Sequence, residues 1–323
     1  MNKPTTEGRK PQRLKRKDLA MGILYKFSEL YESSEAESIN DITIPIDEVR
    51  IHLKERFGVD YTSNQWVFTQ LKRYEEEIGS HLFKKTAAKS ANDFNLGLCS
   101  DMIEFTQKLH LHVPQKIKAA NGVFDKIHVS SPEGGCTSIC LGAGSTTYYL
   151  AQIFIDHMEE LKTTYRLYTH NAGILSQFYS HHINLEKIQI ISAGGELDPI
   201  TKTLVGNPEN IFPATTFDFI VQGTSIIHEG KLYIESSTER EIKSALLHDH
   251  HGCKILVLTK HELQDEAPKG IEPYGEITDY DYIVVPRRIG NNKKRYDLNW
   301  EQYLDLFEPE IMNWNYSIYH ITG

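Results

Sequence analysis

Leu141-Gly142-Ala143-Gly144-Ser145-Thr146-Thr147 sets two glycines and three hydroxyls between an apolar run and a helical pattern. Ahead of it, Cys136-Thr137-Ser138-Ile139-Cys140-Leu141 reads as a short buried strand. Behind it, Tyr149, Leu150, Ile153, Phe154 and Leu161 recur at helical spacing between Thr146 and Leu161. The turn therefore opens a helix. Unpaired N–H groups and the positive end of the helix dipole favour an anion there, and small residues let a phosphate come close. A phosphorylated ligand is the expectation; an ordinary turn with a Ser or Thr cap is the alternative.

Outward from this turn, strand and helix alternate. Tyr165 to Thr169 predicts a strand, Ala172 to His181 a helix, and Ile188 to Ser192 and Phe217 to Val221 further strands. Glu239 to His250 predicts a helix, and Lys254 to Leu258 and Tyr282 to Val285 the last strands. Such alternation implies an α/β fold with a mostly parallel, Rossmann-like sheet covered on both faces. Ligands of such sheets sit at the carboxyl ends of the strands, the edge that carries the glycine turn.

Four segments converge on that edge: Gly142 to Thr147, Thr169-His170-Asn171, Ala193-Gly194-Gly195-Glu196-Leu197 and Gln222-Gly223-Thr224. With Leu204-Val205-Gly206 and Glu239-Arg240-Glu241-Ile242-Lys243, their order over residues 125–265 resembles the sugar-phosphate-sensing domain of DeoR-type regulators. The resemblance implies a fold shared with ribose-phosphate and glucosamine-phosphate isomerases and CoA transferases. It also implies that Gly144, Ser145, Thr146 and Thr147 cradle a phosphate, that Asn171, Gly194, Gly195 and Glu196 border a sugar, and that Lys243 supplies a cation. Elementary chemistry agrees, since a phosphomonoester needs backbone donors, hydroxyls and a positive charge. The chain departs from the family in three places. Gly142 stands for an Asp, His170 for a Thr, and Thr259-Lys260-His261-Glu262 for an Asp-x-Ser-Lys. An isomerase or hydrolase is the alternative, with Glu196 and Lys243 in catalysis; Asp198, Glu235 and Glu241 are further carboxylates on offer as the base.

The N-terminal part is of another kind. Leu19 to Tyr31 predicts a helix, Ile44-Pro45-Ile46 opens a second that Gly58 ends, and Tyr61 to Gln65 supplies caps for a third. Two helices joined by a short turn and followed by His81-Leu82-Phe83-Lys84-Lys85-Thr86 imply a winged helix-turn-helix. Phe68-Thr69-Gln70-Leu71-Lys72-Arg73-Tyr74-Glu75-Glu76-Glu77-Ile78-Gly79-Ser80-His81-Leu82-Phe83-Lys84-Lys85 resembles the recognition helix and wing of LysR-type regulators. Ser63, Asn64, Gln65, Thr69, Lys72 and Arg73 are the residues expected along the DNA-facing edge, with Lys84, Lys85 and Lys89 flanking the groove. Polar tips read base edges, and basic side chains contact phosphates. The acid triplet Glu75-Glu76-Glu77 fits that reading only if it faces away from the duplex.

Charge divides the chain in the same way. Residues 1–128 hold 20 Lys and Arg against 18 Asp and Glu; residues 129–323 hold 15 against 26. The expected organisation is a basic, disordered arm (1–17), a winged helix (18–95), a linker helix (96–124), an α/β sensor (125–295) and an aromatic tail (296–323). The tail, with Trp300, Tyr303, Phe307, Trp314, Tyr316 and Tyr319, reads either as core or as a subunit contact. No run of 18 apolar residues and no signal-peptide pattern occurs, so the expectation is a cytoplasmic protein with no membrane partner. Four cysteines in this length do not make a disulfide framework, and Cys136 and Cys140 read as buried thiols. His248-Asp249-His250-His251-Gly252 reads as a helix end rather than a metal site. No metal and no cofactor are expected. The whole implies a DNA-binding transcriptional regulator, a homo-oligomer, that senses a phosphorylated sugar or nucleotide; a protein or RNA scaffold is a further alternative.

Overall fold

The glycine turn lies in the larger of two units of a computed structural model that describes residues 13–36, 38–87, 90, 92–99, 104–206, 211–213, 215–288 and 294–322. Unit 1 comprises residues 1–102 and 106–111, and unit 2 residues 103–105 and 112–323. Most of the basic arm, and Lys89, lie outside the described residues. Among the described residues no helix is long and apolar enough to cross a membrane.

Unit 1 opens with α1 (Arg16–Ser33), whose Leu19, Ile23, Leu24, Phe27 and Tyr31 are buried at helical spacing. The helix thus begins inside the stretch expected as an arm, and Arg16 is held by Gln70 and Glu77. Then follow β1 (Thr43–Pro45), α2 (Ile46–Phe57), α3 (Asn64–Ile78), β2 (Phe83–Thr86) and β3 (Asn95–Leu98). The strands form an antiparallel sheet in the order β1-β3-β2, with Phe83 opposite Leu98 and Thr43 opposite Gly97. Glu75 explains the turn between α3 and β2. Its buried carboxylate accepts from the N–H groups of Leu82 (2.7 Å) and Phe83 (2.6 Å) and from the Lys72 ammonium (2.6 Å).

The short α4 (Phe105–His110) follows; within unit 1, its His110 Nε2 lies 2.9 Å from the Tyr74 hydroxyl. The stretch expected as a linker, 96–124, divides among β3, α4 and α5 (Val113–Ser130). Ala119, Ala120, Val123 and Ile127 of α5 are buried in the core of unit 2.

The sheet of unit 2 is built from β4 (Cys136–Leu141), β5 (Thr164–Thr169), β6 (Ile188–Ser192), β9 (Phe219–Gln222), β12 (Cys253–Val257), β14 (Tyr282–Pro286), β15 (Phe307–Met312) and β16 (Tyr316–Ile321). The short strands β7 (Glu196–Leu197), β8 (Leu204–Val205), β10 (Ile226–His228), β11 (Lys231–Tyr233) and β13 (Gly275–Glu276) pair outside it. Their order is β15-β16-β14-β12-β9-β4-β5-β6, and the six from β14 to β6 run parallel. In chain order those six lie 3-2-1-4-5-6, the doubly wound arrangement. The chain thus has an α/β fold with a large, mostly parallel central sheet. Side chains alternate across it as strand geometry demands. Ile139 and Leu141 of β4 and Phe219 and Val221 of β9 face the core shared with α5 and α6 (Ser145–Asp156). Cys140 and Ile220 face the opposite core with Ile242 and Leu246 of α8 (Ser237–His248).

The aromatic tail is part of this sheet. Helix α9 (Arg295–Glu301) leads into β15 and β16, which pair antiparallel to each other, and β16 pairs antiparallel to β14. Trp300, Tyr303, Phe307 and Tyr316 are buried, with the Trp300 and Phe307 rings stacked at 5.0 Å; Trp314 is exposed. Of the two cysteines expected inside, Cys140 is buried and Cys136 is exposed, because Cys136 is the first residue of β4 and lies at the sheet's rim.

Candidate functional site

Strands β4 and β9 are neighbours, yet β4 leads into α6 on one face and β9 toward α8 on the other. Their carboxyl ends therefore part, and the crevice between them is where ligands of this arrangement bind. Two loops line it: Gly142 to Thr147 after β4 and Gln222-Gly223-Thr224 after β9.

The first loop is locked by its own backbone and by Asn171. The Gly142 N–H donates to Val221 O at 2.9 Å. A Cβ at Gly142 would lie 3.1 Å from Gln222 Cγ and 3.2 Å from Val221 O, so the carboxylate side chain expected by resemblance has no room unless Gln222 moves. Gly144 takes φ +152°, a conformation open chiefly to glycine. The Thr147 hydroxyl lies 2.7 Å from Gly142 O and 2.9 Å from Gly144 O, and donates between them. The Asn171 amide donates to Gly144 O at 3.2 Å. Thr147 thus turns back to hold the loop, and among the described residues no side chain caps α6. The first amides of that helix, at Ser145 and Thr146, face the crevice end with the dipole behind them.

Beneath the loops lies a buried polar floor. Lys243 of α8 is fully buried, and its ammonium donates to Ala143 O (3.0 Å) and Gly223 O (2.9 Å), 3.7 Å from Glu239 Oε1. Gln222 donates to Lys243 O at 3.2 Å and accepts from the Tyr280 hydroxyl at 2.7 Å, while the Tyr274 hydroxyl donates to Gly223 O at 3.2 Å. Burial pushes both tyrosine hydroxyls up, so they remain protonated donors. Lys243 is therefore a bracket joining the ends of β4 and β9, with Glu239 offsetting its charge. It stands under the turn, not as a cation reaching out from the rim.

The end of β5 contributes Thr169 and, directly after it, His170 and Asn171, all fully buried. Thr169 donates to Leu141 O at 2.8 Å. Asn171 Oδ1 accepts from Gly173 N (2.9 Å) and Ile174 N (3.4 Å), capping α7 (Ala172–Ser180). Both ends of that amide are thus engaged by the backbone. Among the described residues, His170 has no hydrogen-bond partner on either ring nitrogen. Burial, and then the Lys243 ammonium beside it, hold the imidazole down at about 3, so it is neutral at physiological pH. Sequence reasoning brought the segments of His170, Gln222 and Glu239 to this edge without giving those three residues a role, and it missed Tyr274 and Tyr280. Thr169-His170-Asn171, a polar trio ending an apolar strand, was the available signal for His170.

The third segment stays at the rim. Gly194, Gly195 and Glu196 are exposed, and Glu196 opens the hairpin β7 (Glu196–Leu197) and β8 (Leu204–Val205). The hairpin attaches to the β5 end through Leu204 N donating to His170 O at 2.7 Å and Ala172 N to Lys202 O at 2.8 Å. Gly144, Ser145, Thr146, Thr147, Asn171 and Lys243 are thus brought together, and Gly194, Gly195 and Glu196 form an outer edge.

In unit 1, the residues expected to face DNA divide in two. Ser63 caps α3 through Trp66 N at 3.2 Å. Asn64 is buried, donating to Asp47 (3.0 Å) and Asn92 O (2.6 Å) and accepting from Arg50 at 3.1 Å, so it cannot reach outward. Lys72 turns to Glu75 and Phe83 O. Gln65 and Arg73 are exposed and Thr69 half-buried; spaced four apart, they share one helix face. Lys84 and Lys85 are half-buried, and Lys85 donates to Gln65 at 2.9 Å. Of the acid triplet, Glu75 points inward, and Glu77 pairs with Arg16.

Among the described residues, no three or more His, Cys, Asp or Glu side chains are grouped so as to hold a metal ion. His250, from the cluster after α8, lies 3.2 Å from Thr215 O and 3.1 Å from Ile211 O.

No family model matches the chain, and no curated protein matches it. Solved structures similar to it include ribose 5-phosphate isomerase from Plasmodium falciparum, 10% identical over 64% of this chain and 78% of that one at TM-score 0.32. The ribose 5-phosphate isomerase of Methanocaldococcus jannaschii is 11% identical over 64% and 79%, at TM-score 0.30. The eIF2B delta protein from Chaetomium thermophilum is 11% identical over 80% and 92%, at TM-score 0.32. Likenesses of this size assign neither a family nor an activity.

Proposed function

We propose that unit 2 binds a phosphorylated sugar or nucleotide at the Gly142 to Thr147 turn, and that the chain is a DNA-binding regulator whose unit 1 responds to that ligand in a homo-oligomer. The observation that carries the binding site is the uncapped N-terminus of α6 at the crevice between β4 and β9, held open by Thr147 and Asn171. Backbone amides and a helix dipole suit a phosphate dianion, and the Ser145 and Thr146 hydroxyls add donors. Support for DNA binding comes from the Gln65, Thr69 and Arg73 face of α3 and the neighbouring hairpin lysines. The enzyme reading has less in its favour: Glu196 is exposed at the rim, and the Lys243 ammonium is held by two backbone carbonyls.

A thermal-shift screen of the full chain against sugar phosphates and nucleotides tests the sensor. A ligand that binds the native state raises its stability by mass action, so at 100 times Kd the gain is about 2.7 kcal/mol. The expected result is a raised Tm for wild type and none for Ser145→Asp. A gel shift on random duplex at low salt tests unit 1: Arg73→Ala weakens binding, and absence of any shift removes the regulator.

A further inference from the structure

Among the described residues, His170 is a fully buried side chain with both ring nitrogens unpartnered, and it directly precedes Asn171, whose amide braces the Gly142 to Thr147 turn. It follows the last residue of β5, its carbonyl receives Leu204 N from the covering hairpin, and the next residue, Asn171, holds Gly144. Strand alternation continues from Thr169, on the α6 face, to His170 on the α8 face, where Lys243 bears on it. A buried polar group without a partner is costly, so such groups in native proteins call for a specific explanation.

We propose that His170 is the residue by which this site distinguishes a phosphate ester carrying hydroxyl groups from phosphate alone, its imidazole exchanging hydrogen bonds with a ligand hydroxyl. The inference rests on the phosphate-binding reading above and names what hangs from that phosphate.

The chemistry narrows as follows. A neutral imidazole offers one N–H donor and one bare nitrogen acceptor. A phosphate-ester dianion or a carboxylate only accepts, and would leave the ring's bare nitrogen without a donor. Lys243 beside the ring opposes a second positive charge, and Glu239 already faces Lys243. An ammonium group on the ligand would meet the same lysine. The nearby hydroxyls of Tyr274 and Tyr280 are engaged by Gly223 O and Gln222. A ligand hydroxyl, which both donates and accepts, matches what remains.

Calorimetric titration of the full chain with inorganic phosphate, butyl phosphate, ribose 5-phosphate and glucose 6-phosphate tests this. For wild type, the better sugar phosphate is expected to bind at least about tenfold more tightly than butyl phosphate, since sites built to hydrogen-bond a hydroxyl reject analogues lacking it. In His170→Leu that ratio falls to about one, while the Kd for inorganic phosphate stays within about twofold. His170→Asn, which keeps a donor and an acceptor, restores part of the ratio. A ratio unchanged in His170→Leu overturns the proposal. So does an equal loss for all four compounds, which makes the ring a structural element only. A wild type that prefers neither sugar phosphate to butyl phosphate overturns it too, leaving the ring to a buried water. If wild type binds none of the four, the phosphate site itself fails and takes this inference with it.

Discussion

Helices α6 and α7 follow adjacent parallel strands of one sheet, and each begins after a turn rich in small polar residues, yet only one of them caps itself. At α7, Asn171 Oδ1 accepts from Gly173 N and Ile174 N and closes the helix end. At α6, Thr147 sends its hydroxyl backward to Gly142 O and Gly144 O, and among the described residues no side chain serves the amides in front. Asn171 even works for both turns, because its amide nitrogen braces Gly144. Polar composition at a strand-to-helix turn therefore does not distinguish a capped helix from an uncapped one. The direction in which the capping side chains point does.

The largest way to break this comparison is to remove the bracket beneath α6. Lys243→Met leaves Glu239 buried without its cation and two carbonyls without their donor. The expected loss is about 3–5 kcal/mol in a chemical denaturation curve, with phosphate binding lost as well. A loss below about 1 kcal/mol breaks the account of Lys243 as bracket.

Acid separates the two turns next. His170 is neutral in the fold, with its imidazole held at about 3 against an ordinary value of 6.5. Between those values the unfolded chain binds the extra proton and the fold does not, so stability is complete above pH 6.5 and falls as pH drops toward 3. The slope is about 1.4 kcal/mol per pH unit, or about 2 kcal/mol between pH 6.5 and 5. His170→Leu flattens that part of the acid limb; a limb identical to wild type shows the ring protonating freely.

Asn171→Ala opens the second turn as well. Loss of the α7 cap costs about 1 kcal/mol, and loss of the bond to Gly144 up to about 1 kcal/mol more. Because Gly144 is then unbraced, phosphate affinity falls too, although Asn171 is expected not to touch the ligand. The smallest effect sharpens the contrast in the other direction. Ser145→Asp brings a carboxylate to the first turn of α6 and is expected to raise the ligand-free stability by about 0.3–1 kcal/mol, while abolishing the response to phosphate. The same carboxylate at Ala172, where Asn171 already serves the amides, is expected to add less.

The strands and helices around the site were legible because each is short and written in one period. Ile188 to Ser192 reads as a strand from its apolar residues and is β6, and the apolar run from Lys254 to Leu258 differs from β12 by one residue at each end. The doubly wound order follows from alternation and from the rules that connect parallel strands. The tail was not legible in the same way. Phe307-Glu308-Pro309-Glu310-Ile311-Met312 forms an edge strand with most of its side chains exposed, so its sequence carries no core signal. Its aromatic neighbours fit a core and a subunit contact equally well.

At the site, residue types and neighbourhood could be read, but partners could not. The resemblance brings Lys243 to the turn, yet its acceptors, Ala143 O and Gly223 O, lie just past the ends of two strands, 100 and 20 residues away. Backbone carbonyls have no signature in a sequence. Glu196 looked like a site carboxylate from its place after the third strand, and it stands exposed because Gly194 and Gly195 carry the chain into a hairpin at the rim. In α3, polar Asn64 looked outward from its position near a cap, whereas its amide fastens α3 to Asp47 and Asn92.

The most direct measurement of the central claim is an amide chemical-shift titration of the isotopically labelled chain with inorganic phosphate. The account predicts saturable shifts at Ser145 and Thr146, with Gly173 and Ile174 still because Asn171 already occupies them. Equal shifts at both pairs, or shifts at neither, would contradict it.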